Sequence, residues 1–476
     1  MTDLFSVQSM LFGLVLVNSL AAFLLTGLQS LSAAQPVPDF YRPPTDTCDQ
    51  VTVSNEKPFF SVHVPTHNEP PQIVIATLEH LAKLDYDGFE VIVLDNNTAD
   101  PALWRPVQVA CKALGPRFRF SHQDNVVGAK AGALNLAAAM TCSEATHFAI
   151  VDADYQVTPD FLTSAATAIA STGADFVQFP QAYRDQARAP SVATELADYF
   201  LIVANGTNRQ QAMLLTGTLS IIARSAFNSV GGWSGATITE DAELGVRLYL
   251  GQHRGAYIQK TVGRGMLPLD FGGLAQQRDR WVAGNVQTLF CALRAGLLPL
   301  NKPALAIFSQ LTAWVCLSAI PAFALVVMAF LPDTRGLGGP TAILAGLTIM
   351  ISLASNPIRW RNGGPEYRLS LRTWLGVRRV KLALLWTSSL AWVPVLFGSK
   401  PIFVRTPKSP FHSRGLLMPG LALVSLLFGV VALVHYANGH IVAGVASTLL
   451  ASCWFAARCV DQELSSAHQR NDGAVI

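Results

Sequence analysis

Three groups of residues with chemical capacity follow one another along the chain: Asp152-Ala153-Asp154, Thr239-Glu240-Asp241 and Gln277-Arg278-Asp279-Arg280-Trp281. Asp152 and Asp154 bracket one residue at the end of an apolar stretch. In extended backbone their side chains point the same way, so both can reach one site. Their hard oxygens, completed by diphosphate oxygens and water, suit Mg²⁺ or Mn²⁺. An ion there would offset charge building on a departing diphosphate. Taken alone, either aspartate would serve equally well as the cap of a turn or helix.

Asp241 is approached through the glycine-rich Gly231-Gly232-Trp233-Ser234-Gly235. A carboxylate there can take the proton from an attacking hydroxyl, with Glu240 as the neighbouring catalytic candidate. The same residues also suit the start of a helix carrying Leu244 and Leu248. Both roles can coexist, because a helix start is a rigid mount. Gln277, Arg280 and Trp281 lie three and four positions apart, on one helical face. Arg280 can pair with a diphosphate, and Trp281 can stack on a sugar ring beside Gln277 at an acceptor position. An arginine-bearing helix touching lipid headgroups is the alternative. A lone D-x-D arises often by chance, whereas the ordered set is specific for displacing a nucleoside diphosphate from a sugar.

These groups need a scaffold that brings them together. From Phe59 to about Trp281 the pattern is that of an α/β domain. Phe59–Val64 reads as a strand ending in Pro65-Thr66-His67-Asn68-Glu69, and a helix with Ile73, Leu78, Leu81 and Leu84 follows. Val91–Leu94 and His147–Val151 are short buried strands ending at Asp95 and Asp152. Strands alternating with helices imply a mainly parallel sheet, with ligands beyond the carboxyl ends of its strands. Asp95 at such an end can accept hydrogen bonds from a nucleoside, or simply form the turn before Asn96-Asn97. Lys130, among small residues in Gly128–Asn135, can approach phosphate, although an ordinary helix start also explains that stretch.

The 476 residues are 51% hydrophobic and only 14% charged, with mean hydropathy +0.34. That exceeds a typical soluble protein, and the excess lies at the two ends. A net charge of +3 gives no argument for a nucleic-acid partner. Seven scattered cysteines without C-x-x-C spacing suit a reducing compartment or a membrane core. Gln8–Leu31 is uncharged and long enough to span a bilayer; it lacks the charged start of a signal peptide. Five apolar stretches follow the middle domain: Ala304–Leu331, Pro340–Ser355, Val380–Phe397, Leu416–Tyr436 and Ile441–Ala457. Arg359, Arg361, Arg368, Arg372, Arg378, Arg379 and Lys381 crowd one connection, and Lys400, Arg405, Lys408 and Arg414 the next. Positive charge marks both as cytosolic, so Val380–Phe397 between them is expected at the interface or re-entrant. An ordinary sixth span is the alternative.

Together these residues resemble the membrane-integrated glycosyltransferases of family 2, the group of cellulose, curdlan, hyaluronan and chitin synthases. Pro65–Glu69 matches the family's P-T-Y-N-E, Lys130–Asn135 its K-A-G-N-L-N, and the three opening groups its D-x-D, T-E-D and Q-x-x-R-W. Phe403-Val404-Arg405-Thr406-Pro407-Lys408 looks like the F-x-V-T-x-K gating loop of cellulose synthases. His67 stands for the family's tyrosine, Asn96 for a common second aspartate and Arg405 for valine. The expected layout has one helix before the catalytic domain and, unlike cellulose synthases, no cyclic-dinucleotide-binding domain after the last span.

The resemblance implies a GT-A-type domain with Thr66, His67, Glu69, Asp95, Lys130, Asp152 and Arg280 at the donor. Gln277 and Trp281 fall at the acceptor, and Phe403, Thr406 and Lys408 in a gating loop. The implied layout is an N-terminal helix (1–35), a linker (36–58), a cytosolic catalytic domain with interfacial helices (59–300), a membrane region (301–460) with the loop at 399–414, and a cytosolic tail (461–476). The implied protein sits in the cytoplasmic (inner) membrane and crosses it several times, with envelope export subunits as partners. The implied reaction is inverting elongation of a β-glucan from UDP-glucose; Gln310, Thr312 and Trp314 in the apolar stretches can line an exit path or simply pack between helices. Transfer of one sugar to a membrane lipid is the alternative, and a catalytically inactive scaffold the alternative outside enzymes.

Overall fold

The computed structural model describes residues 7–33, 57–208, 210, 212–296, 301–333, 336–353, 369–399, 408 and 417–472. The catalytic part is built on a seven-stranded sheet in the order β3-β2-β1-β4-β7-β6-β8. Its strands are β1 (Phe60–Thr66), β2 (Phe89–Asn96), β3 (Phe118–Gln123), β4 (His147–Ile150), β6 (Phe176–Gln178), β7 (Ser220–Ala223) and β8 (Gly255–Tyr257). β3, β2, β1 and β4 run parallel, and β7 pairs antiparallel with both β4 and β6. A separate two-stranded ribbon joins β5 (Gln156–Val157) to β9 (Gly263–Arg264).

The apolar runs become central strands because helices cover both faces, so period-2 alternation is not required. Every residue of β2 is buried, and Val91 and Val93 face a different cluster from Ile92 and Leu94. The helix after β1, Pro71–Leu81, buries Val74, Thr77, Leu78 and Leu81 and begins with proline inside its first turn, where a missing N–H costs nothing. Helix Ala129–Met140 requires Gly132, because a Cβ there would lie 2.0 Å from the Val127 carbonyl oxygen. The tight approach brings Lys130 over the carboxyl ends of the strands. Asn68 and Asn97 turn the chain at the ends of β1 and β2 with φ of 50° and 56°. Asparagine tolerates that left-handed region better than most residues.

Among the described residues three helices are long and apolar enough to cross a bilayer: Val7–Leu28, Leu417–Ala437 and Ile441–His468. The expected span Ala304–Leu331 is broken. Helix Lys302–Leu311 ends before Thr312, and a second helix begins at Ala319. The first half is fixed to the catalytic domain, because Gln310 Oε1 accepts from Leu214 N at 3.0 Å and its Nε2 donates to the Ala212 carbonyl at 2.6 Å. Gln310 is therefore an anchor between this helix and the catalytic domain. Val380–Phe397 falls across helices Leu371–Ala383, Leu385–Leu390 and Val393–Leu396, each too short to span.

The stretch expected as a cytosolic tail from 461 is instead the continuation of helix Cys453–Asp472. Ala456, Ala457, Val460, Leu464 and Ala467 form a buried helical stripe against the catalytic domain. Polar contacts fix its register. Asp461 Oδ1 accepts from Phe271 N at 3.0 Å, and Glu463 accepts from Ser191 N at 2.8 Å and pairs with Arg379 at 3.0 Å. Leu464→Asp would bury an unpaired carboxylate in that stripe. We expect it to cost about 3 kcal/mol or more, read as a lower melting temperature and earlier proteolysis of the detergent-solubilised protein.

Candidate active site

A cleft of about 690 Å³ lies beyond the carboxyl ends of the strands and gathers groups from every part of the catalytic domain. Glu69 comes from the end of β1, Lys130 from the helix after β3, and Asp152 and Asp154 from the end of β4. Glu240 and Asp241 open one helix, Gln277, Arg280 and Trp281 lie within another, and Lys408 reaches in from far along the chain. Phe403 and Thr406 lie outside the described residues.

Asp152 and Asp154 meet the cleft together, but not through extended alternation. The chain turns after Val151, and Tyr155 N donates to the Asp152 carbonyl at 3.0 Å. Asp152 N donates to Thr218 Oγ1 at 3.0 Å, and Asp154 Oδ2 accepts from Met266 N at 3.3 Å. A lysine faces each carboxylate. Lys130 Nζ donates to Asp152 Oδ1 at 2.6 Å and to the Gly217 carbonyl at 2.9 Å, and lies 3.8 Å from Glu240. Lys408 Nζ stands 3.1 Å from Glu69 and 3.4 Å from Asp154. Among the described residues no three His, Cys, Asp or Glu side chains cluster as a complete metal cage. The pair therefore fits an ion that takes most of its ligands from diphosphate and water, as Mg²⁺ does. Burial alone would lower the Lys130 pKa; Asp152 and Glu240 outweigh it and hold the ammonium above its ordinary value. Sequence reading assigned Lys130 to phosphate, whereas here its charge is directed at carboxylates.

Glu240 and Asp241 begin helix Glu240–Leu250. Thr239 precedes them without a side-chain capping bond; its hydroxyl lies 3.2 Å from that of Thr288. Burial, then the adjacent Glu240, raise the Asp241 pKa to about 7, against the pull of Lys130. Burial likewise raises Glu240, opposed by Lys130. A carboxyl poised near neutrality is suited to accept a proton in one step and release it afterwards. The loop opposite must come close: Gly217 has φ +89°, and a Cβ there would lie 2.9 Å from Asp241 Oδ2. Any side chain at 217 would both strain the backbone and displace the carboxylate.

Helix Phe271–Arg294 presents Gln277, Arg280 and Trp281 to the cleft, as their spacing predicts. Burial lowers the Arg280 pKa, with Glu240, Asp152 and Asp241 opposing. The residue between them, Arg278, went unassigned in the sequence reading. It is 1% exposed, pairs with buried Glu195 at 2.5 Å, and donates to Gln277 Oε1 at 3.1 Å. Its guanidinium carbon lies 4.3 Å from the Trp281 ring centroid and 4.6 Å from that of Trp314. A cation between two indoles fixes their tilt while its own charge is neutralised below. In the sequence only the i, i+3 spacing of Arg278 and Trp281 points to this contact.

Thr66 and Asp95, expected at the donor, stand behind the cleft wall. Asp95 Oδ1 accepts from Thr66 Oγ1 at 2.9 Å and from Thr98 Oγ1 at 2.8 Å, and Oδ2 meets His122 at 2.7 Å. His122 stacks on Trp104 with ring centroids 4.5 Å apart. Asp95 is 3% exposed, and it is Asn96 and Asn97 that line the cleft with His67. His67 Nδ1 lies 2.6 Å from the Asn96 carbonyl, which orients the ring. Beyond Asp241 the cleft narrows to a cavity of about 50 Å³ between Tyr199, Trp281, Trp314 and Gln310. Thr312 does not line it; its hydroxyl donates to the Phe308 carbonyl at 2.7 Å.

Acid–base, carboxylate-pair and aromatic groups gathered on a GT-A-like sheet define the class: this is a glycosyltransferase. The model of the glycosyl transferase family group 2 matches residues 147–436, and that of glycosyl transferase family 2 matches 61–231. The chain belongs to this family. It is 28% identical over 240 residues to the cellulose synthase catalytic subunit [UDP-forming] of Xanthomonas axonopodis pv. citri, covering 48% of this chain and 32% of that protein. It is 29% identical over 247 residues to glucomannan 4-beta-mannosyltransferase 7 of Arabidopsis thaliana, covering 49% and 43%. With beta-monoglucosyldiacylglycerol synthase of Synechocystis the figures are 30% over 273 residues, 55% and 54%. The chain thus matches between a third and just over half the length of these relatives. A mannosyltransferase of Pyrobaculum calidifontis, solved with GDP-Man and Mn²⁺, superposes with TM-score 0.56 at 20% identity, covering 82% of this chain and all of that one. That likeness concerns the fold.

Asp241→Asn is expected to lower turnover roughly 10²–10⁴-fold with UDP affinity unchanged, measured on the same preparation. In the wild type, kcat/KM should rise with pH through the region near 7, and this limb should vanish in the variant. The stability sign runs opposite. Because the folded pKa exceeds the unfolded value of about 3.9, the stabilisation present below about pH 4 is lost as pH rises through about 7. Asp241→Asn should therefore raise the melting temperature at pH 8 and change it little at pH 4. Asp152→Asn and Asp154→Asn should each abolish transfer supported by divalent metal while leaving the melting profile cooperative. Activity persisting in EDTA would remove the metal from the reaction.

Proposed function

We propose that this protein elongates a β-linked glycan, with UDP-glucose as donor, by inverting transfer at the cytosolic face of a membrane. The observation that carries the reading is the placement of Asp241, with its raised pKa, in one cleft with Arg280, the Asp152–Asp154 pair and the Trp281 ring. The acceptor hydroxyl attacks the anomeric carbon while its proton passes to Asp241. The bond from that carbon to the diphosphate oxygen breaks on the opposite face, and the electron pair leaves with UDP. Arg280 offers the leaving diphosphate a cation. Asp152 and Asp154 would hold Mg²⁺ or Mn²⁺, which would neutralise diphosphate charge. His67, Asn96 and Asn97 border the donor side of the cleft, with Asp95 and Thr66 bracing the loops behind them. Trp281, held by Arg278, is the platform for the acceptor sugar.

The cationic surface Arg372, Arg378, Arg379 and Lys381 supports a cytosolic catalytic domain. An inner-membrane, multi-pass location with envelope export subunits belongs to the same reading. Lys408 between Glu69 and Asp154 supports a gating role for its loop, because a donor and its ion would compete for those carboxylates.

A second reading, one sugar added to a lipid, is favoured by a specific feature. The cavity behind Trp281, about 50 Å³, is too small for a pyranose ring, so a polymer must displace Tyr199, Trp281 or Trp314 to pass that way. Product analysis separates the two. With excess UDP-glucose we expect long chains from few initiations, and shorter chains from Trp281→Ala. A single sugar on an extractable lipid would establish the second reading.

A further inference from the structure

Met266 and Leu267 line the catalytic cleft and also a second, open groove of about 610 Å³. The groove is lined by residues of the β5–β9 ribbon and by His468 of the C-terminal helix. Arg184 and Arg264 line it together with His80 and His468, against a single carboxylate, Asp185. Asp185 already stands 3.7 Å from Arg188. Arg264 Nη1 donates to neutral acceptors, Gln186 Oε1 at 2.9 Å and the Tyr183 carbonyl at 3.5 Å. Burial lowers the pKa of the partly buried Arg184 guanidinium, with Asp154 and Asp185 opposing from beyond ion-pair distance. His80 Nδ1 donates to the Ala76 carbonyl and His468 Nε2 to the Pro268 carbonyl. In each neutral ring the other nitrogen is then an acceptor, so an imidazole adds to an anion site only when protonated.

Two guanidinium groups that no carboxylate pairs directly among the described residues, drawn partly out of water with two imidazoles beside them, form an anion site, with Asp154 and Asp185 acting on Arg184 only at longer range. A phosphate group suits it best, because its several oxygens can accept both guanidinium forks at once. The groove is far larger than one phosphate, leaving room for an organic remainder. The site is also tied to the chemistry. Arg184 N donates to the Gly265 carbonyl at 2.9 Å, one residue after Arg264. The next residue, Met266, donates its N–H to Asp154 Oδ2. A ligand drawing on Arg184 and Arg264 therefore acts on the segment that positions Asp154.

We propose that this groove binds a phosphate-bearing ligand and, through the Gly265–Met266 backbone, couples its occupancy to the divalent-metal dependence of the Asp152–Asp154 site. The binding half stands apart from the glycosyl-transfer reading; the coupling rests on Asp154 as a metal ligand.

The test uses the full chain in phosphatidylcholine nanodiscs, wild type and Arg184→Gln/Arg264→Gln, at constant ionic strength. Inorganic phosphate should raise the wild-type melting temperature with UDP already saturating the cleft, and should leave the double variant unmoved. The Mn²⁺ concentration that half-saturates UDP binding should shift about fivefold or more with phosphate in the wild type. The variant, with the same Mn²⁺–phosphate chelation, should show no such shift and should retain basal turnover. If phosphatidic acid in the nanodisc reproduces both effects and inorganic phosphate does not, the phosphate is that of a lipid headgroup. Equal responses in the two proteins, or binding without the Mn²⁺ shift, would overturn the proposal. Absence of any metal-dependent UDP binding in the wild type would instead count against the glycosyl-transfer reading, with the thermal arm still deciding the groove.

Discussion

The structure depends on packing like charges into one partly buried cleft. Glu69, Asp152, Asp154, Glu240 and Asp241 share it with Lys130, Arg280 and Lys408. Carboxylates outnumber cations, and burial raises the cost of every unpaired charge. Two consequences follow from that imbalance. Asp241 is pushed to a pKa of about 7, which makes it a usable base. The Asp152–Asp154 pair is left short of positive charge, a deficit that a divalent cation bound with a diphosphate would offset.

The surrounding elements hold those charges in place. Gly217 keeps the opposing loop against Asp241, and Gly132 lets the Lys130 helix approach its loop. Below the aromatic platform, the Arg278–Glu195 pair is fully buried and carries two indoles on its cation. Burying such a pair stabilises little by itself, since desolvation consumes most of the attraction. Its effect is geometric, because Trp281 cannot tilt without uncovering a charge. The helices that follow are joined to this framework by Gln310, Asp461 and Glu463. The catalytic domain and the apolar helices are therefore coupled through hydrogen bonds to main-chain groups.

Much of this was legible in the chain. The parallel sheet follows from short apolar runs separated by helices, and the Gln277–Arg280–Trp281 face from helical periodicity. Asp152, Asp154 and Asp241 reach the same cleft because each ends a strand or starts a helix at one edge of the sheet. Other features were not legible. Asp95 ends a strand as expected, yet Thr66, Thr98 and His122 turn it inward. Hydropathy marks Ala304–Leu331 as one span, but hydropathy does not register a hydrogen bond that Gln310 accepts from Leu214, almost a hundred residues away. The polar end of the last helix reads as a tail because its stripe is mostly alanine, which is weakly apolar until it packs.

The sequence by itself determined the fold class and which residue types stand at the strand ends and helix starts that meet in the cleft. Both rest on local information: periodicity, strand ends, and residue types at fixed spacing. Tertiary structure alone decided which charges neutralise each other. Lys130 faces Asp152, Lys408 joins Glu69 to Asp154, and Arg278 is drawn under Trp281, across separations of 22, 339 and 83 residues for the Lys130–Asp152, Lys408–Glu69 and Arg278–Glu195 pairs. Electrostatic energy depends on distance in space and on exclusion of water, and neither quantity is written in the order of the residues.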